Sequence, residues 1–191
     1  MIEFITNAQK KGLPVYMLSK DVEKAFDKVY HPSLIYKIFN KFNLPILFCK
    51  TLANFLIDRE IKIKHNGKFS EPFTPNAGVP QGSILGPILY LMFINDAPKP
   101  KINNKLNSNP DRLDNGKNKF YSEELNIYFA DDNVILAAGM KTGQGHFGCK
   151  GFRDLVQKST YWEEGNRIKI NANKSVCMAF TPKEPPKMIE P

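Results

Sequence analysis

The apolar positions of this chain change spacing several times, and each change marks an element. Pro14 to Leu18 (PVYML) is a short apolar run of the kind that fills a buried strand, and it delivers the chain to Asp21. From Val22 the spacing turns helical, with Val22, Phe26 and Val29 at i, i+4 and i+7. A second helix is predicted from Pro32, where a missing N–H costs nothing. Its apolar face is Ile35, Ile38, Phe39 and Phe42, and Pro45 closes it. Ile46 to Ile57 reads as a third helix with Leu52, Phe55 and Leu56 inward. The period then falls to two, as Ile61 and Ile63 alternate with Lys62 and Lys64 ahead of Asn66-Gly67. Asn-Gly supplies the two positive-φ residues that a tight hairpin turn requires. Such a turn sets His65 against Lys68 and Lys62 against Glu71.

A Gly/Pro-punctuated loop begins at Thr74, and an apolar helix follows from Pro87 to about Ile94 (PILYLMFI). Residues 98–124 shift to Pro, Asn, Lys and Asp with few apolar groups, the composition of a flexible surface insertion. Ile127 to Ala138 predicts two apolar strands flanking an acidic turn. A Gly-rich loop over 139–151 leads to a helix through Phe152, Leu155, Val156 and Tyr161 or Trp162. A strand from Ser175 to Phe180 precedes a Pro-rich tail at 182–191. The order predicts an α+β chain built on an antiparallel sheet, and its 191 residues suit one domain, or one with a satellite lobe.

Charge adds a partner class. With 27 Lys and Arg against 19 Asp and Glu, the net charge is +8. Such an excess favours a polyanion, because each cation that meets a phosphate releases condensed counterions; the competing reading is a solvated lysine surface. Cys49, Cys149 and Cys177, like His31, His65 and His146, are dispersed. That spacing offers neither a disulfide framework nor a zinc site. No run approaches the ~20 apolar residues of a membrane span, and Met1 to Gly12 has no signal-peptide pattern. The expectation is an intracellular protein, nuclear or cytoplasmic, with no membrane partner.

The candidate chemistry lies in three places. Asp131 and Asp132 are adjacent carboxylates in an apolar hairpin. They repel unless a cation is near, and Mg²⁺ favours carboxylate oxygens together with substrate phosphates; Asp is also common in plain turns. Asp21 ends a separate apolar strand, as a third acid or as the N-cap of the next helix. Three such acids suit a two-metal site, whose ions lie about 3.5–4 Å apart. The third place is Ala77-Gly78-Val79-Pro80-Gln81-Gly82-Ser83, where glycines permit close backbone approach and Gln81 offers both a donor and an acceptor. An ordinary loop ahead of a Pro-initiated helix is the plainer alternative.

Taken in order, these segments resemble the reverse transcriptases. Leu18-Ser19-Lys20-Asp21-Val22-Glu23-Lys24-Ala25-Phe26-Asp27-Lys28-Val29-Tyr30-His31 is similar to their motif A. Gly78 to Pro87 is similar to motif B, and Phe129-Ala130-Asp131-Asp132 to motif C, with Phe where Tyr is more frequent. Asn95-Asp96-Ala97-Pro98 and the stretch from Trp162 through Ile168, Asn171 and Lys174 narrow the likeness to the jockey-like branch of non-LTR retrotransposons. The resemblance implies a reverse-transcriptase palm with incomplete fingers and no thumb, the palm core being 13–97 and 125–181. The missing regions would come from a longer parent polypeptide.

It further implies that Asp21, Asp131 and Asp132, with the carbonyl of Val22, hold two Mg²⁺ ions, Mn²⁺ substituting. Phe26 would be the gate against a ribose 2′-hydroxyl. Gln81, Gly82 and Ser83 would contact nucleotide and template, and Lys174 would give a proton to pyrophosphate. Asp27 receives no duty beyond bracing a helix. The implied activity is RNA-directed DNA synthesis, with an RNA template, a DNA primer and dNTPs as partners. The alternative is a catalytically incomplete remnant that binds nucleic acid. A viral RNA-copying polymerase is disfavoured by Phe26, since such an enzyme must admit a ribose. Gly143 to Gly148 fits G-x-G-x-x-G, but no βαβ series surrounds it, so a dinucleotide fold is set aside.

Overall fold

Along a computed structural model of the chain, the described residues are 1–57, 59–100, 123–129, 132–139, 148–182 and 184–189. The chain runs α1 (Ile2–Lys10), β1 (Val15–Val22), α2 (His31–Asn40), α3 (Ile46–Leu56), β2 (Lys64–His65), β3 (Lys68–Phe69) and α4 (Leu85–Ile94). It continues with β4 (Glu123–Phe129), β5 (Asp132–Ala138), α5 (Lys150–Gly165), β6 (Ile170–Thr181) and β7 (Glu184–Ile189). The expected α+β class holds. Of the insertion expected at 98–124, residues 101–122 lie outside the described residues, as do 140–147 of the Gly-rich loop. No helix among the described residues is long and apolar enough to cross a membrane.

Two compact units divide the chain. The first, Met1–Val22, Pro98–Trp162 and Ile170–Pro191, is built on a sheet of order β4-β5-β1-β6-β7. All its pairings are antiparallel. Both faces of the central strands are covered. On one, Tyr16, Ile135, Ala137 and Ala179 pack with Cys149, Phe152 and Leu155 at the start of α5. On the other, Val15, Met17, Leu136 and Ala138 pack with Ala8 of α1, flanked by Phe4 and Ile5. Helix α1 was not expected, although Phe4, Ile5 and Ala8 share its inward side. Nor was β7, which lies within the Pro-rich tail. At the edge of the sheet Pro185 and Pro186 are tolerated, because an edge strand leaves half its N–H groups outside the ladder.

The second unit comprises Glu23–Ala97 and Glu163–Lys169. Here α2 packs on α3 and α4. The helix expected from Val22 is absent: residues 23–28 form turns, with Lys24 in the left-handed region at φ 53°. The inward side of α2 is His31, Leu34, Lys37 and Ile38; of the expected apolar face Ile38 is buried as read, while Phe39 is exposed. Lys37 is only 3% exposed. Its ammonium is nonetheless satisfied by three acceptors: Phe93 O at 2.6 Å, Asn166 Oδ1 at 2.9 Å and Asp96 Oδ1 at 2.6 Å. Burial pushes its pKa below the ordinary lysine value against the pull of Asp96. The Asn66-Gly67 turn pairs His65 with Lys68, with φ of 48° and 77° at the two turn residues. The ladder does not carry on to Lys62 and Glu71. Ile61 bridges Phe73 instead, a shift of one residue beside Pro72, which has no N–H to donate.

Lys37 gathers acceptors from two distant segments of its unit, so its loss should be felt by all of them. Lys37→Met is expected to destabilise the protein by about 2 kcal/mol in urea denaturation, below the cost of stranding a fully buried charge because Asp96 keeps some contact with water. A loss under about 0.5 kcal/mol, the level of an ordinary surface change, would contradict this role.

Candidate active site

The register of the first unit brings two of the three candidate acids together. Val15 stands opposite Ala138 in the β1–β5 ladder, and six residues further on Asp21 stands opposite Asp132. Directly opposed residues hold their Cβ atoms about 4.5–5.5 Å apart, and like charges in that position are destabilising. Asp132 is exposed and Asp21 half-buried, so both carboxylates are open to solvent on one side. Asp131, next in the chain, lies outside the described residues, as does Ala130. Asp21 is no helix N-cap, since it lies within β1 and the next helix along the chain begins only at His31. Val22 closes β1 opposite Ile170.

Lys174 reaches this end of the sheet through an irregularity. β6 pairs Val176 with Ser19 and Asn171 with Asp21, so residues 172–175 of β6 face Lys20 alone on β1. Bulges of this kind re-aim side chains at sheet ends. The Lys174 ammonium stands 3.9 Å from Asp21 Oδ2, a long and mostly exposed ion pair of little worth for stability. Ser175, in the same bulge, bonds back to the carbonyl of Asn171 at 2.8 Å, and its hydroxyl lies 3.4 Å from Asp21 N.

Lys20 points to the opposite face of β1 and is 5% exposed. Its ammonium donates to Ser159 Oγ at 2.7 Å, and Tyr128 OH lies 3.4 Å from the same hydroxyl. Tyr128 in turn meets Trp162 edge-on. Asn133, opposite Lys20, is buried and donates to Asn126 Oδ1 at 2.6 Å. This polar layer behind the acids was not foreseen. The one signal for it is the polar pair Ser19-Lys20 between the apolar run and Asp21.

The second unit carries the remaining candidates, and it joins them to each other. Phe26 packs on Tyr90 with ring centroids 4.7 Å apart, and its carbonyl accepts from Val79 N at 2.8 Å. Gly78 sits at φ 87°, and a Cβ there would meet Asp27 O at 2.6 Å, so only glycine fits. Gln81 is exposed and donates from Nε2 to Asp27 Oδ1 at 2.6 Å. Gly82 follows at φ 78°. The Ser83 hydroxyl donates to Pro80 O at 2.7 Å and accepts from Gly86 N at 2.9 Å, which makes it a brace within the loop. Glu23 is held by Lys28 and Lys169 at 3.1 Å each; their bonds lower its pKa, Lys28 first. A cavity of about 620 Å³ in this unit is lined by Lys28, Tyr30, His31, Asn76 and Arg167 over an apolar floor that includes Ile35 and Ile57. Sequence spacing gave no sign of that basic groove.

Among solved structures, this arrangement of helices and sheet is shared with an apo telomerase from Candida tropicalis truncated from its C-terminal domain. The TM-score is 0.60 at 16% identity, over 94% of this chain and 34% of that one. Telomerase from the same organism in complex with a fragment of telomeric RNA gives 0.58 at 14%, over 93% and 28%. At such identities the likeness is one of fold alone. Residues 1–188 match the family profile described as reverse transcriptase (RNA-dependent DNA polymerase), and the chain belongs to that family. It is 30% identical over 173 residues to the probable RNA-directed DNA polymerase from transposon X-element of Drosophila melanogaster, covering 89% of this chain and 17% of that protein. It is 29% identical over 160 residues to the polymerase from the mobile element jockey of the same fly, covering 84% and 16%. These relatives bear out the jockey-like resemblance, and the chain spans about a sixth of their length.

Reverse transcriptases work with divalent metal ions. The residues present fit such ions: two opposed, accessible carboxylates are hard oxygen donors whose repulsion a cation would relieve. No cluster of three or more acidic, His or Cys ligands occurs among the described residues, and Asp131 is not one of them. Without metal, Asp132→Asn is expected to stabilise the protein by about 0.5 kcal/mol, the relief of one opposed like-charge pair. Millimolar Mg²⁺ is expected to raise the thermal midpoint of wild type and leave that of the variant nearly unchanged. Equal responses to Mg²⁺ would place the ion elsewhere.

Proposed function

We propose that this chain supplies the palm of an RNA-directed DNA polymerase of a non-LTR retrotransposon. The observation that carries the reading is the register of β1 and β5, which opposes Asp21 and Asp132 at the end of the sheet. In this reading Asp21, Asp131 and Asp132, with the carbonyl of Val22, hold two Mg²⁺ ions, and Mn²⁺ can take their place. Bound there, such ions would supply the Lewis acidity that activates a primer 3′-hydroxyl and stabilises a leaving pyrophosphate. The Phe26 ring, held by Tyr90, closes the sugar site to a ribose 2′-hydroxyl. Gln81 and the backbone at Gly82 meet the nucleotide and template, with Ser83 bracing them. Lys174 Nζ, near Asp21, gives a proton to the pyrophosphate. The net charge of +8 and the Lys28/Arg167 groove favour an RNA template. A DNA primer and dNTPs complete the substrates, and a longer polypeptide supplies the other lobes.

The test is extension of a DNA primer on an RNA template with dNTPs, in Mg²⁺ or Mn²⁺. Extension is expected for wild type and is lost in Asp131→Asn and Asp21→Asn, while Phe26→Val admits ribonucleotides. Binding of template that weakens with salt, without extension under either metal, would make the chain a nucleic-acid-binding remnant. Activity that persists in Asp131→Asn would remove the assigned acids.

A further inference from the structure

The loop that carries Gln81 is fixed on both sides of it. Gly78 N donates to Val29 O and Val79 N to Phe26 O, both at 2.8 Å, while Tyr30 bridges Ala77. The carbonyl of Gly78 is held by His31 Nε2 at 2.7 Å and Arg59 Nη2 at 3.0 Å. Beyond Gln81, Ser83 ties Pro80 to Gly86. The element left adjustable is the Gln81 side chain, whose two ends have opposite hydrogen-bonding polarity.

Asp27 decides that polarity. A carboxylate only accepts, so the 2.6 Å contact with Asp27 Oδ1 requires the NH₂ end of Gln81. Exchanging the two ends would set oxygen against oxygen, so the sense of the carboxamide follows from the partner. Its Oε1 is thereby turned away from Asp27. We infer that Asp27 is a positioning residue, which holds Gln81 with its carbonyl oxygen presented to a hydrogen-bond donor of the incoming nucleotide. The inference rests on the proposal that Gln81 meets the nucleotide. Both side chains are exposed, so the contact adds little to stability and acts on orientation.

The experiment measures dNTP binding to the full chain by equilibrium dialysis in Mg²⁺, with the ¹⁵N–¹H resonances of the Gln81 side-chain amide as a second readout. Asp27→Ala is expected to shift those resonances without nucleotide and to weaken binding about tenfold at an unchanged thermal midpoint, as for one lost oriented hydrogen bond. Asp27→Asn, whose Oδ1 still accepts, stays close to wild type. Gln81→Glu sets two carboxylates together and binds weakly. Adding Asp27→Asn to it restores binding, because the new amide donates to the glutamate and leaves an acceptor facing outward. If wild type binds dNTP and Asp27→Ala binds equally well, the inference fails while the proposed function stands. If wild type binds no dNTP, the nucleotide assignment of Gln81 fails, and this inference with it.

Discussion

The opposition of Asp21 and Asp132 depends on a register set well away from either acid. β1 and β5 are apolar on both faces, Tyr16, Ile135 and Ala137 toward α5 and Val15, Met17, Leu136 and Ala138 toward α1. A slip of one residue would exchange every one of these side chains between faces and bring Lys20 and Asn133 to the α1 side. Burying each large apolar side chain is worth about 1.5–3 kcal/mol. An opposed like-charge pair costs at most about 1 kcal/mol. The core therefore fixes the pairing, and the two acids are held together against their own repulsion. On the proposed reading, this electrostatically unfavourable pair, held from a distance by packing, is relieved by a cation.

The alternation of the strand governs the surroundings of the acids as well. Asp21 lies on one face, and its predecessor Lys20 must lie on the other, where Ser159 and Tyr128 receive it beneath α5. A buried lysine one residue before a candidate acid is tolerated because its ammonium finds a hydroxyl on that helix. On the other side of β1, the strand that carries Lys174 would place it elsewhere had it stayed in register. The extra residues at 172–175 let Lys174 and Ser175 reach Asp21 together.

Local spacing made much of this legible. The strand entering Asp21, helices α3, α4 and α5 and the hairpin turn at Asn66-Gly67 follow from apolar period and turn chemistry alone. Pairings between distant segments do not. Lys37 reads as a solvated position on α2 until Asp96 and Asn166 are brought to it. The segment from Glu23 to Lys28 has helical spacing, yet the donors of Gly78 and Val79 take up the carbonyls of Val29 and Phe26, and the chain turns at Lys24. The candidate acids were found by the order of their motifs. The opposition of Asp21 and Asp132 is a matter of register, which no local pattern states.

The second unit shows a related economy. Phe26 and Asp27 are consecutive, and the loop from Gly78 to Gln81 bonds to both: Val79 N to the Phe26 carbonyl, Gln81 to the Asp27 carboxylate. On the proposed reading, one residue excludes a ribose and the other orients the side chain that meets the nucleotide. Groups that share hydrogen bonds and a backbone segment do not act additively. A substitution that shifts the backbone at Phe26 also shifts the carboxylate that orients Gln81, and one that loosens Gly78 disturbs both. Sugar discrimination and nucleotide orientation are then one property of the joined segments, and neither can be tuned without the other.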